Sequence, residues 1–377
     1  MEGSDSFGIL NFSSPCNNIT LAYGICYNMP VCGYCYDMGL TKTISKPYEL
    51  FNLLVIGCIL PFIGTCGLVG NSVSAYIYSR KSMKSSINVY LLVLALSDIT
   101  IIITSFFLFF CESMRKRSAF ASRYFAIFAP FTFPLGMSAQ SMSVFLTIAA
   151  AIDGFVLVIA SESFKERFCT RKTAKWVSVI VLCCAITFNF PHWFEVKAVH
   201  CWSVPYQIST YDVCPTDLRL SETYYKIYYA YLYTIFMAVG PVLLLIVLNL
   251  AIFLIMQKKS QEERARNEND IVTLVLVVCL FIACNILPLT VNFLELTLNM
   301  VNTYMIDLSN FMVVMNSSCN FLIYYAFGKQ FRKTLKRKFK HFVKKKRTIR
   351  FPEELIAIDF VTDKNQDDEM FVRGHPL

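Results

Sequence analysis

Long apolar runs dominate this chain, with short polar segments between them. A bilayer core about 30 Å thick is crossed by about 20 apolar helical residues. Seven runs reach that length: roughly Leu53–Tyr78, Ile87–Phe110, Tyr124–Ala160, Trp176–Phe194, Tyr224–Met256, Ile271–Leu294 and Leu308–Phe327. Apolar and polar residues do not alternate within them, as Thr273-Leu274-Val275-Leu276-Val277-Val278 illustrates. A membrane-spanning barrel strand would alternate. The pattern therefore predicts an all-α membrane protein, a bundle of seven transmembrane helices. Beyond the seventh run, Phe327, Phe331, Leu335 and Phe339 recur every four residues among lysines and arginines. That spacing predicts a basic amphipathic helix on a membrane surface. Four segments follow: an amino-terminal segment 1–50, the membrane domain 51–327, the basic helix 328–347 and an acidic tail 348–377.

Composition removes the soluble alternatives. Hydrophobic residues make up 55% and charged residues 16% of the chain, against about 25% charged in ordinary soluble domains. The net charge of +9 is unevenly placed. Lysine and arginine collect after span 1 (Arg80, Lys81, Lys84), after span 3 (Lys165 to Lys175), after span 5 (Lys258 to Arg266) and from Lys329 to Arg347. Basic residues beside spans favour the cytoplasmic side, which puts the amino terminus outside and the carboxyl terminus in the cytoplasm of a multi-pass plasma-membrane protein. Arg115, Lys116, Arg117 and Arg123 oppose this bias between spans 2 and 3. The basic helix would face anionic inner-leaflet lipid, not nucleic acid. Two sequons, at Asn11 and Asn18, fit an outer amino terminus carrying glycans. Met1 to Asp5 lacks a basic region and an apolar run, so span 1 is expected to act as the insertion signal.

Cys16, Cys26, Cys32, Cys35, Cys201 and Cys214 fall on the outer side and Cys111 at its boundary. Thiols there oxidise, so these read as disulfide partners, and six cysteines allow 15 pairings. Within the spans, Asp98 lies deep in span 2, with Asn71, Ser143, Asn316, Ser317 and Asn320 as polar residues of other spans. These could form one hydrated cluster holding Asp98 ionised beside a small cation, or a set of separate interhelical hydrogen bonds. The histidines His192, His200, His341 and His375 all lie away from the middle of the spans, and Asp98 and Asp153 belong to different depths. Neither an enzyme nor a bound cofactor is expected. A retinal Schiff base fails on the lack of lysine from Leu308 to Phe327, and no internal repeat suggests a transporter.

One feature per span then accumulates. Span 1 carries Gly70-Asn71, span 2 Leu94-Ala95-Leu96-Ser97-Asp98, span 5 Pro241, span 6 Pro288 and span 7 Asn320-Phe321-Leu322-Ile323-Tyr324, with Phe327-Gly328-Lys329-Gln330-Phe331-Arg332 after it. From about residue 50 to about 340 the chain resembles the rhodopsin-like G-protein-coupled receptors. Ala139 to Thr147, Cys169-Thr170-Arg171-Lys172, Asn189 to Glu195, Cys284-Asn285, Asn292 to Glu295 and Asn316 to Tyr324 further resemble invertebrate FMRFamide-type neuropeptide receptors.

The resemblance implies an extracellular peptide ligand, contacted between the spans by Gln140, Met137, Asn292, Glu295 and Glu112. It implies a heterotrimeric G protein inside, and a sodium-binding, state-coupling role for Asn71, Asp98, Ser143, Asn316, Ser317 and Asn320. No other metal is implied. An amidated peptide ending in Arg-Phe would need an acid for its arginine, and Glu295, Glu112 and Asp307 stand at outer ends.

The chain departs from the family's pattern at the end of span 3. The usual acid–arginine–tyrosine triplet becomes Asp153-Gly154-Phe155. Asp153, Gly154, Phe155, Pro241, Pro288 and Tyr324 form the expected activation set, with the arginine replaced. Ile286 stands for the span 6 tryptophan, Phe321 for the span 7 proline and Asn249 for the span 5 tyrosine. The usual span 3 cysteine aligns near Ala129, and Cys111 is its expected substitute as partner of Cys201 or Cys214. The implied function is signal transduction by a neuropeptide receptor. The alternatives are a chemosensory receptor for a small molecule, or a ligand-binding receptor with atypical or absent coupling.

Overall fold

The computed structural model describes Pro30, Cys32 and residues 46–115, 118–203, 207–258, 261–298 and 302–350. Asn11, Asn18, Cys16, Cys26, Cys35 and the acidic tail from residue 351 lie outside the described residues. Eight long helices run in order: α1 Lys46–Tyr78, α2 Ile87–Arg115, α3 Ala119–Ile159, α4 Arg171–Phe194, α5 Glu222–Lys258, α6 Gln261–Leu298, α7 Thr303–Phe327 and α8 Lys329–Arg350. Among the described residues six of these are clearly long and apolar enough to cross a bilayer. The seventh, α7, is more polar, carrying Asp307, Asn310, Asn316, Ser317 and Asn320.

Each helix outruns its apolar stretch, because a helix need not stop where hydrocarbon does. α1 begins at Lys46 and α6 at Gln261, before the sequence turns apolar. α3 continues through Pro130 and Pro134 over 41 residues. It touches α2, α4, α5 and α6 and so forms the axis of the bundle. The turns of α5 widen over Tyr225–Val239, and the Gly240 N–H bonds five residues back to the Ile235 carbonyl. Proline at 241 has no N–H and cannot continue the ordinary ladder, so the widened stretch ends against it. The close approach of α1 to α7 needs glycine at position 70. A Cβ there would lie 2.8 Å from that of Phe321.

Between α4 and α5 the chain forms an antiparallel hairpin, β1 Val196–Ser203 and β2 Ile208–Pro215, in register Cys201↔Thr210. It caps one end of the bundle against α3. Pro30 and Cys32 pair with Trp202 through Cys32 N–H to O at 2.9 Å and Trp202 N–H to the Pro30 carbonyl at 2.8 Å. Cys32 and Cys201 form a disulfide with Cα atoms 5.0 Å apart. Cys214 is disulfide-bonded as well.

The expected role of Cys111 is corrected. It is a free thiol, because Cys201 is taken by Cys32 and the amino-terminal segment supplies the staple that span 3 lacks. The hairpin itself is an addition to the all-helical expectation. At the other end α8 begins one residue after α7, and Phe331 is buried against Tyr78 and Tyr324. Phe339 stays 67% exposed.

Candidate functional site

Four of the six expected cluster residues meet in the middle of the bundle. Asp98 on α2 is fully buried. Asn320 Nδ2 of α7 donates to its Oδ2 at 2.8 Å. Asn71 Nδ2 of α1 donates to the Ser317 carbonyl at 2.8 Å. Asn71 Oδ1, Asn320 Oδ1, Ser318 Oγ and the Tyr324 hydroxyl have no hydrogen-bond partner among the described residues, and the Ser317 hydroxyl lies within hydrogen-bonding reach of the Asp98 carboxylate.

A buried polar group without a partner costs about 1–3 kcal/mol, so such a gathering suits water or an ion. Every donor atom is oxygen, which suits a hard cation. Among the described residues no group of three or more carboxylate, histidine or cysteine side chains could hold a metal. One carboxylate among neutral oxygens therefore fits a monovalent cation better than a divalent one. Ser143 and Asn316, the other two expected members, line the adjoining cavity with Gln140, Ser317 and Asn285. The cavity is small, with about 20 Å³ open to the centres of water-sized molecules.

The remaining expected ligand residues are not drawn into one contact network. Met137, Asn292 and Glu295 are half-buried. Glu112 is already engaged, because Arg115 pairs with it at 2.5 Å and with Asp212 of β2 at 2.9 Å. Asp307 accepts from Tyr48 at 3.0 Å and Asn52 at 2.8 Å. Among the described residues Glu295 has one long contact, from the Tyr225 hydroxyl at 3.4 Å.

A second polar knot lies at the hairpin end of α4. Glu195 is fully shielded and accepts from His192 Nδ1 at 2.9 Å, Arg219 at 3.0 Å, Tyr224 at 2.5 Å and Tyr229 at 2.6 Å. Tyr228 donates to the Phe188 carbonyl at 2.8 Å. Burial alone would raise the Glu195 carboxyl, but its bonds to His192, Tyr224 and Tyr229 outweigh that and hold it down at about 2. Sequence reasoning placed Glu195 at the end of the Asn189 to Glu195 motif and missed Arg219 and the tyrosines. The available signal was Tyr224, Tyr225, Tyr228 and Tyr229, whose spacing puts all four on one helical face.

At the opposite end Asp153 does not reach across the bundle. It accepts from Ser86 Oγ, just before α2, at 2.6 Å and from the Cys169 thiol. Burial and the Asp153 carboxylate push that thiol up to about 12. Gly154 is buried, with the side chain of Leu274 of α6 directly over its backbone. Phe155 is half-buried, and Tyr324 is fully buried with Tyr78 edge-on at 5.2 Å. Pro241 and Pro288 sit within α5 and α6.

Comparison with known proteins adds to this geometry. The family model described as "7 transmembrane receptor (rhodopsin family)" matches residues 70–324. The chain is 54% identical over 342 residues to the "Probable G-protein coupled receptor frpr-1" of Caenorhabditis elegans, covering 87% of this chain and 90% of that one. It is 33% identical over 290 residues to the "FMRFamide receptor" of Drosophila melanogaster, covering 74% of this chain and 52% of that one. With the "FMRFamide peptide receptor frpr-18" of Caenorhabditis elegans it shares 25% over 299 residues, 74% of this chain and 68% of the other.

Proposed function

Since the chain belongs to the rhodopsin family of seven-transmembrane receptors, we propose that its ligand is an extracellular amidated peptide of FMRFamide type. The hairpin end faces outward from the plasma membrane, and a heterotrimeric G protein is engaged at the α8 end. Two relatives named as FMRFamide receptors support the ligand class. The observation that carries the reading is the state of the acids at the hairpin end. Glu112, Glu195 and Asp307 are each held at 3.0 Å or less by protein donors, whereas among the described residues Glu295 has one contact, at 3.4 Å. A half-buried carboxylate with free acceptor capacity suits a guanidinium, which binds carboxylates through paired hydrogen bonds.

Asn71, Asp98, Ser143, Asn316, Ser317 and Asn320 would hold sodium, whose charge would offset that of Asp98. The basic face of α8 would rest on anionic lipid, each basic side chain adding about 1 kcal/mol near the surface.

The test is a panel of amidated peptides applied to cells displaying the receptor, with surface binding and G-protein signalling read in parallel. Binding with signalling is the expected result. A receptor present at the surface that binds no amidated peptide would overturn the ligand assignment.

A further inference from the structure

At the α8 end, position 154 has no room for a Cβ unless Leu274 shifts. A Cβ built there would lie 2.7 Å from Leu274 Cδ2 of α6 and 4.0 Å from Ile252 Cδ1 of α5. Leu274 and Ile252 are each 1% exposed. Leu274 of α6 and Ile252 of α5 thus approach a bare stretch of α3 backbone through apolar atoms.

The neighbouring acid plays no part in that meeting. Asp153 is occupied by Ser86 at 2.6 Å and by Cys169, which tie it to α2 and to the segment before α4. Asp153 is therefore not the group that holds α6 at this point. Two buried polar groups at the same end weigh against the closed arrangement. Both amide atoms of Asn249, three residues before Ile252 on α5, lack a partner among the described residues, and so does the Tyr324 hydroxyl of α7. A movement of α6 that admits water would satisfy them. Packed contacts have discrete rather than graded arrangements, so one apolar contact opposed by unsatisfied groups is a two-state element.

We propose that Leu274, seated on the Gly154 backbone with Ile252 beside it, is an apolar latch that holds the inner end of α6 against α3 in the resting receptor. Glycine is then required at 154, because it forms the socket. This role rests on the receptor reading for its signalling consequence and on packing alone for its mechanics.

The experiment uses the full chain in lipid nanodiscs and reads hydrogen exchange along each helix. Gly154→Ala inserts a methyl group into the socket, and Leu274→Ala empties it. Each should speed exchange at the α6 end near Leu274 by about tenfold and leave the hairpin end unchanged, as local opening does. Gly154→Ala combined with Leu274→Val moves one carbon from α6 to α3 at constant volume, and such exchanges are tolerated. That pair should return exchange to within about twofold of the starting protein. Agonist-free G-protein turnover should rise with both single changes. Unchanged exchange in both single variants, or an equal rise along all helices, overturns the latch. Faster local exchange without turnover for any G protein supports the latch and counts against coupling instead.

Discussion

Glu195 gathers donors from α4, from the segment after β2 and from α5 within 3.0 Å while wholly shielded from solvent. Removing one partner of a buried charge network costs about 3 kcal/mol or more. Glu195→Gln should therefore lower the unfolding midpoint of the detergent-solubilised protein, and Arg219→Gln should do so to a smaller extent. The pH sign follows from the depressed carboxyl. Its contribution is complete above the ordinary glutamate value near 4.5 and is lost as pH falls toward about 2. The midpoint difference between the native protein and the Glu195→Gln variant should thus be constant from neutral pH to about 5 and shrink below about 4.5.

Cys169 offers a second test at this scale. Its thiol is held near 12 by burial and by Asp153, so almost none is thiolate at neutral pH. Alkylation of Cys169, followed by peptide mapping, should be slow, and Asp153→Asn should accelerate it. Labelling as fast as at an exposed free thiol would contradict this environment.

Legibility differed between residues for a physical reason. An aspartate inside an apolar span is conspicuous, because the bilayer makes it costly, and so Asp98, Asn71, Ser317 and Asn320 were readable. The partners of Glu195 were not, because tyrosines at a membrane boundary are common there for other reasons.

Among the elements, the hairpin shows the limit of hydropathy. Apolar run length located all seven spans, but it carries nothing about β1 and β2, whose eight-residue strands lie between spans. Their cysteines were legible as disulfide partners. The pairing was not, since Cys32 and Cys201 are 169 residues apart in sequence and only the folded sheet brings them together. Breaking a bond that closes so long a loop costs about 2–5 kcal/mol. Cys32→Ser and Cys201→Ser should each reduce surface expression, and the double variant should match either single one. A further loss in the double variant would mean the two sulfurs act separately. Within the bundle, Gly154 was read as a missing arginine, whereas its packing against Leu274 depends on α6 and had no sequence signal of its own.

Across the whole molecule, two charged features belong to one account of ligand response: Asp98 at the centre and Glu295 at the hairpin end. If sodium occupies the oxygens around Asp98, replacing sodium with a bulky organic cation should raise agonist affinity in the native protein. Asp98→Asn should abolish that difference, as radioligand competition would show. Of Glu112, Asp307, Glu195 and Glu295 at the hairpin end, Glu295 keeps the most acceptor capacity among the described residues.

The most direct measurement is a double-mutant cycle on binding. Affinity is compared for an amidated Arg-Phe peptide and its citrulline counterpart, on the native receptor and on Glu295→Gln. A charge-assisted pair of this kind contributes about 1.5–3 kcal/mol. The native receptor should accordingly prefer arginine by about 10- to 100-fold, and Glu295→Gln should erase that preference while binding citrulline peptide normally. An arginine preference that survives Glu295→Gln intact would contradict the account.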